Sequence, residues 1–304
     1  MKRVIFDCDN TMGLPFKEID DGLALMYLLG CPDIELVGVT TTFGNGAVDD
    51  VYAQTVKLLH ALGAGHIPVF RGEAKRGDGP TDAARFLAET AVAHPHELAI
   101  LAVGPLGNLY NAAKLDPNFF LNVQEIACMG GYLAPLRIGW RNLGELNLSA
   151  NPEASFAILN APCPVTLMSA QICLQAPFGW QAWLRTQKWP KALRRIIRNW
   201  LLTFSTHSGA KEFYLWDLLP AVYLSLADKL FAPNLVGITS TVQDLESGSL
   251  QLGQHPAPAK VNLPTSITNL DVFYDTLFAS WNRVIQAAVD RGSPLSIAET
   301  ILKN

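Results

Sequence analysis

Short apolar runs alternate with amphipathic stretches through the first half of the chain. Lys2 to Phe6 reads as a buried strand, and Ile19 to Leu29 has the spacing of a helix. Ile34 to Thr40 is the next strand and Val48 to Leu62 the next helix. Pro68 to Phe70 predicts a short strand, Thr81 to Val92 a helix, and Leu98 to Val103 an apolar strand. Gly104-Pro105 opens a further helix that Asp116-Pro117 closes, and Val123 to Met129 is a strand ending in Gly130-Gly131. Strands that are apolar throughout, alternating with helices, predict an α/β fold: a Rossmann-like, mostly parallel central sheet flanked by helices.

The second half is less regular. Leu133 to Leu148 lacks a clear period and reads as a loop or hairpin over the site. Pro152 to Leu159 predicts a helix and Pro164 to Met168 a strand. Ala176 to Leu226 reads as helical with breaks at Pro190 and Pro220. Val236 to Val242 and Lys260 to Leu263 are expected late strands, and Asp271 to Asp290 a long C-terminal helix. No linker or internal repeat divides the chain, so residues 1–304 are expected to form one domain.

Composition narrows the class. Apolar residues make up 49% and charged residues 16%, which excludes a disordered chain. The net charge of −4 argues against a broad nucleic-acid surface, and no uncharged apolar run reaches membrane-spanning length. Cys8, Cys31, Cys128, Cys163 and Cys173 are odd in number and mostly lie in apolar runs, which fits buried reduced thiols. After Met1-Lys2-Arg3 only Val4-Ile5-Phe6 precede Asp7, so an export signal is not expected. The expectation is a cytoplasmic protein acting on a small molecule, without nucleic-acid or membrane partners.

Candidate chemistry concentrates near the start. Asp7 and Asp9 end the first strand, and Asp20 and Asp21 open the first helix. Ligands of parallel α/β sheets bind outside the carboxyl ends of the strands. Carboxylates gathered there repel one another unless a cation joins them, and all-oxygen donors suit a hard cation, Ca²⁺ or Mg²⁺. Asp20 and Asp21 also suit the positive end of a helix, but that leaves Asp7 and Asp9 unexplained. Asp7-Cys8-Asp9-Asn10-Thr11 fits the DxDxT pattern of haloacid-dehalogenase-like phosphatases too, with Asp7 as a phosphorylated nucleophile and Mg²⁺ as cofactor. The late acidic pair such enzymes need is not evident; Asp244 and Glu246 fall in a turn-like stretch.

Further blocks, in order, resemble the inosine-uridine-type nucleoside hydrolases. Asp7-Cys8-Asp9 with Asp20-Asp21 matches the family's DxDxGxDD opening. Gly38-Val39-Thr40-Thr41-Thr42-Phe43-Gly44-Asn45 follows, and Leu101 to Asn108 is similar to its VTGPLTN block. Met129-Gly130-Gly131, then Gly144-Glu145-Leu146-Asn147 with Asn151-Pro152-Glu153-Ala154, and finally Trp216-Asp217 continue the series. The resemblance covers roughly residues 3 to 289.

That resemblance implies hydrolysis of the N-glycosidic bond of ribonucleosides to ribose and free base. It implies Ca²⁺ held by Asp9, Asp21, Asp217 and the main-chain carbonyl of Val103, with the ribose 2′- and 3′-hydroxyls completing the shell. Asp9 would also be the general base on the attacking water. Asp20, Asn45, Glu145 and Asn147 would bind ribose hydroxyls and Met129 would pack near the sugar. Homodimers or homotetramers are implied as well. The chain departs from the pattern in three places. Ten residues, Asn10 to Ile19, separate Asp9 from Asp20 where most members have three. Trp216 replaces the His that many members place before the late Asp, as in the purine-specific branch. Trp216 is therefore expected to act by stacking on a purine, since a π face favours its protonated, cationic form. The HGxxG segment is missing, which makes Trp140 the expected second stacking residue and Asn142 the expected 5′-hydroxyl contact.

Other signals are weak. The histidines at 60, 66, 94, 96, 207 and 255 show no HExxH spacing, although His207 lies near the segment before Trp216. Lys191, Arg194, Arg195 and Arg198 read as a solvated helix face, and no GxSxG elbow is present. The reading is a Ca²⁺-dependent ribonucleoside hydrolase, purine-preferring through Trp216. A non-catalytic nucleoside-binding protein of the same fold, or a Mg²⁺ phosphatase, are the alternatives.

Overall fold

In the computed structural model, residues 1–253 and 260–292 are described; His255 lies outside them. The chain runs β1 (Lys2–Cys8), α1 (Asp20–Gly30), β2 (Ile34–Thr41), α2 (Val48–Ala61), β3 (Val69–Arg71), α3 (Asp82–Ala93), β4 (Leu98–Ala102), α4 (Gly107–Leu115), α5 (Phe119–Asn122) and β5 (Glu125–Met129). A hairpin of β6 (Leu136–Ile138) and β7 (Arg141–Leu143) leads to α6 (Pro152–Leu159), β8 (Val165–Met168), α7 (Ala170–Cys173), β9 (Pro177–Gly179), α8 (Trp180–Leu184), α9 (Lys191–Ser208) and β10 (Glu212–Tyr214). Then come α10 (Leu218–Leu230), β11 (Leu235–Ile238), α11 (Val242–Leu245), β12 (Leu252–Gly253), β13 (Lys260–Asn262) and α12 (Leu270–Asp290).

Alternation along the strands creates two apolar layers. Val4, Phe6 and Cys8 of β1 join one core with α1, α10 and α12; Ile5 faces the other, with Leu87 of α3, Leu109 of α4 and Ile158 of α6. Strands covered on both faces must be apolar throughout, which is why they read as unbroken runs. The resulting nine-stranded sheet has the order β12-β11-β13-β8-β5-β4-β1-β2-β3, parallel from β3 to β13, with β11 antiparallel to its neighbours. The chain winds outward in opposite directions from β1, with β2 on one side and β4 on the other. That reversal opens a crevice at the carboxyl ends of β1 and β4.

The last helix fixes the first. Trp281 of α12 donates its indole N–H to the Leu23 carbonyl (2.9 Å), and Arg283 Nε donates to the Gly30 carbonyl (2.7 Å). Only glycine fits at position 30, because a Cβ there would stand 1.9 Å from the Ser280 carbonyl oxygen. This contact clamps α1, and with it Asp20 and Asp21, against the sheet.

Several expectations change. Pro220 does not break a helix: it lies in the first turn of α10, where its missing N–H has no partner to lose. The 176–226 stretch is not wholly helical, since β9 and β10 pair antiparallel within it. The strand expected over Val236 to Val242 stops at Ile238, because Thr241 and Asp244 form a reciprocal capping box that starts α11. No helix among the described residues is long and apolar enough to cross a membrane. All five cysteines are buried and unpaired.

Candidate functional site

Two helix N-termini and the end of β1 meet at one point. Asp20 and Asp21 are the first residues of α1, and Asp217 is the residue that starts α10. Their carboxylates each offer an oxygen within 4.8 Å of the others, and all three are buried. The positive ends of both helices favour negative charge here. Asp9, just past β1, lies against this group: its N–H donates to Asp21 Oδ1 (3.1 Å) and its Oδ2 accepts from the Asn45 N–H (2.5 Å). A Cβ on Gly44 would come within 2.0 Å of Asp9 Oδ2, so the carboxylate occupies space that a glycine leaves open.

This packing leaves oxygens without donors. Asp9 Oδ1, Asp20 Oδ1 and Asp21 Oδ2 are buried and accept no hydrogen bond. Orphaned carboxylate oxygens are costly unless a cation reaches them. Burial is the main cause that raises their pKa values. Asp9 and Asp20 are pushed from 3.8 up to about 7, Asp9 with the charges of Glu18 and Asp20 adding and Asp20 with the charge of Asp21 adding. Asp21 and Asp217 are pushed well above the usual carboxylate range, with Asp9 adding to the first and Asp20 to the second. The all-oxygen donor set fits a hard divalent cation.

Above the cluster opens a cavity of about 280 Å³. Asp20, Asn45, Val103, Met129, Glu145, Asn147, Trp216 and Asp217, all expected from the sequence, line it. Asp9 and Asp21 lie buried beneath it. The Val103 carbonyl accepts from Asn147 Nδ2 (2.8 Å), which also donates to the Met129 carbonyl (3.1 Å). Glu145 is almost fully engaged by the main chain: its oxygens accept from the N–H groups of Gly131 (3.1 Å), Leu148 (2.9 Å) and Ser149 (2.8 Å). Trp216, 9% exposed, has its ring 5.4 Å from that of Tyr214.

Two expected residues lie elsewhere. Asn142 is exposed on β7 opposite Arg137, because alternation in the hairpin turns Leu136 and Leu143 toward the cavity and their neighbours away. Trp140, 66% exposed, sits at the hairpin tip and packs on the end of α9: its Nε1 donates to the His207 carbonyl (3.1 Å) and its ring lies where a Gly209 side chain would be. His207 is exposed and does not line the cavity. Tyr132, Leu136, Leu143 and Phe204 supply the apolar wall, and Glu18 adds a carboxylate. None of these was singled out in the sequence. Phe204 belongs to the apolar stripe of an amphipathic helix, and Glu18 to the inserted segment.

The phosphatase pattern does not acquire a nucleophile. The Asp7 carboxyl is fully buried and accepts from Thr40 Oγ1 (2.6 Å) and Asn108 Nδ2 (2.8 Å). Burial pushes it up to about 7, against the lowering effect of those bonds. It faces β2 and α4 and not the cavity.

A profile of the family described as inosine-uridine preferring nucleoside hydrolase matches residues 4–275. Among curated proteins, the chain is 30% identical over 186 residues to Uridine nucleosidase 1 of Arabidopsis thaliana, covering 52% of this chain and 55% of that protein. It is 28% identical over 285 residues to Probable uridine nucleosidase 2 of the same plant, covering 83% of this chain and 84% of that one. The match thus spans about half the length of the first relative and most of the second. A plant nucleoside hydrolase structure superposes with TM-score 0.79 at 20% identity, over 93% of this chain and 99% of that one. A purine-preferring ribonucleoside hydrolase from Gardnerella vaginalis gives 0.80 at 19%, over 94% and 99%. These superpositions establish a shared fold.

Proposed function

Because this chain belongs to the inosine-uridine preferring nucleoside hydrolase family, we propose that its acidic cavity hydrolyses the N-glycosidic bond of ribonucleosides, giving ribose and free base. The observation that carries this reading is the convergence of Asp20, Asp21 and Asp217, with Asp9 beside them, on buried oxygens that no protein donor satisfies. Ca²⁺ is the proposed occupant, held by Asp9, Asp21, Asp217 and the Val103 carbonyl with Asp20 adjacent; such a set suits an ion that accepts 6–8 oxygens, main-chain carbonyls included. The chemistry the ion supplies when bound is a positive centre for a vicinal diol and for acidifying water.

The protein's own groups set the rest. Asp9, with Oδ2 fixed by the Asn45 N–H and Oδ1 free, takes the proton of the water that attacks the anomeric carbon. Positive charge develops on the ribose in such a displacement, and carboxylates beneath the sugar favour it. Asp20, Asn45, Asn147 and Met129 hold the sugar. Trp216 and the apolar wall of Tyr132, Leu136 and Phe204 hold the base, with no histidine among the lining residues to protonate it. Stacking on the indole supports the purine preference, since a π face stabilises a protonated, cationic purine. The five unpaired cysteines support a cytoplasmic setting, and a homodimer or homotetramer is the proposed assembly.

The test is side-by-side hydrolysis of inosine, guanosine, uridine and cytidine, with Ca²⁺ and with chelator. Cleavage that requires Ca²⁺ and is lost in Asp9→Ala supports the enzyme; cation-independent binding without turnover replaces it by a nucleoside-binding protein. Uridine cleaved faster than inosine rejects the purine preference.

A further inference from the structure

Three strand ends meet at one buried amide. Asn108 is the second residue of α4 and is fully buried. Its Nδ2 donates to Asp7 Oδ1 on β1 (2.8 Å) and to the Thr41 carbonyl at the end of β2 (3.0 Å). Its Oδ1 accepts from the N–H of Glu73, two residues past β3 (3.0 Å). Two acceptors on one side and a donor on the other fix which end of the amide faces which, and both amide protons are used.

The turn that grips Asp9 hangs on this amide from both ends. Thr41 is the residue before the turn, and Phe43 inside it donates its N–H to the Glu73 carbonyl (3.0 Å). Asn45 then donates its N–H to Asp9 Oδ2 (2.5 Å). Asp7, the third partner of the amide, stands two residues before Asp9 and accepts the Val103 N–H on its carbonyl (2.9 Å). On the outer side, Lys17 Nζ reaches the Asn45 carbonyl (2.6 Å) from solvent. Asn108 does not line the cavity, so any effect on the reaction passes through the turn. A reacting group displaced by about 1 Å can cost ~10²-fold in rate, so such a brace has kinetic weight. Resting on the hydrolase reading above, we propose that Asn108 is a positioning residue for the general base: by tying β1, the end of β2 and the segment after β3 together, it holds the Asn45 N–H against Asp9 and aims the free Asp9 oxygen at the attacking water.

The experiment compares wild type, Asn108→Ala, Asn108→Asp and the swap Asp7→Asn with Asn108→Asp, all in the full-length protein. Kinetics on inosine are read beside calcium affinity by calorimetry and amide hydrogen exchange in chelator. Asn108→Ala lowers kcat ~10- to 100-fold, while KM and calcium affinity stay within ~3-fold, because Asp21 and Asp217 are held by α1 and α10. Exchange speeds up at least ~10-fold at the Phe43 and Asn45 N–H groups and stays within ~3-fold at those of Gly131 and Leu148, which Glu145 holds. Asn108→Asp sets two carboxyls against each other and loses as much kcat. In the swap, residue 7 supplies the amide donor and residue 108 still accepts from Glu73, so only the bond to the Thr41 carbonyl is missing and at least ~10-fold of kcat returns. An unchanged kcat, calcium affinity that falls as far as kcat, exchange that rises throughout the chain, or a swap without recovery overturns the proposal. Where neither single variant folds, a swap that folds with kcat within ~10-fold of wild type supports it, and one that folds with a larger loss overturns it. If wild type cleaves no nucleoside, the hydrolase reading fails, and the exchange rates at Phe43 and Asn45 still decide whether Asn108 holds the turn.

Discussion

Asp21→Asn should make the cation-free protein more stable while destroying its response to calcium. Asp21 is buried among Asp9, Asp20 and Asp217, and its pKa is raised by burial and by the charge of Asp9. The scale follows from its neighbours: a carboxyl moved from 3.8 to about 7, as for Asp9 and Asp20, loses roughly 4 kcal/mol of folding stability once fully ionised. The folded pKa of Asp21 exceeds the unfolded one, so this stability is fully present below about pH 4 and is lost as pH rises toward the raised folded value. Because the groups titrate together, neutralising one relieves only part of the total, about 2–4 kcal/mol at pH 8. For a chain of this size that is an increase in Tm of about 3–6 °C. Asparagine keeps an oxygen for the Asp9 N–H, so little packing is lost. The assay is thermal unfolding in chelator at pH 5 and pH 8, repeated with saturating Ca²⁺. The variant's gain should be largest at pH 8 and fall to about a third of that at pH 5. Wild type should gain stability from calcium by mass action, about 4 kcal/mol at a thousandfold excess over Kd, and Asp21→Asn almost none. A variant less stable than wild type in chelator at pH 8, or one with an intact calcium response, would refute the reasoning.

Trp216→Phe should keep partial stacking and lose several-fold in kcat/KM on inosine, whereas Trp216→Ala should lose ~10- to 100-fold, since stacking on a base is worth about 1–3 kcal/mol; steady-state kinetics on both variants checks the order. Gly44→Ala places a methyl 2.0 Å from Asp9 Oδ2 and should cut kcat by at least ~10²-fold, the range of a displaced general base, which progress curves at saturating substrate would show. Trp140→Ala removes the indole bond to the His207 carbonyl and should cost about 1 kcal/mol or less, with faster hydrogen exchange across residues 136–143 and an increased KM.

The sheet was legible because both of its faces are covered. Val4-Ile5-Phe6 and Leu98 to Ala102 read as strands since no position in them meets water. The aspartates were legible because the first strand end and the first helix start are close in sequence. Other parts were not. The direction of Asn142 depends on hairpin register, and one residue of slip would turn it inward. Trp140 looked like a stacking residue, but a left-handed Gly209 gives its ring a seat away from the cavity. Pro220 looked like a breaker only because the helix start at Asp217 was unseen. Glu18 was hidden in an insertion whose path is set by Thr11, Lys17 and Thr55, contacts that no periodicity reports.

The central claim is that distant aspartates share one divalent ion. A crystal structure in Ca²⁺, with anomalous scattering to locate the ion, tests it most directly. The account predicts a single calcium site contacted by Asp9, Asp21, Asp217 and the Val103 carbonyl, with Asp20 adjacent. Carboxylates without an ion at saturating calcium, in a protein that still cleaves nucleosides in chelator, would contradict it.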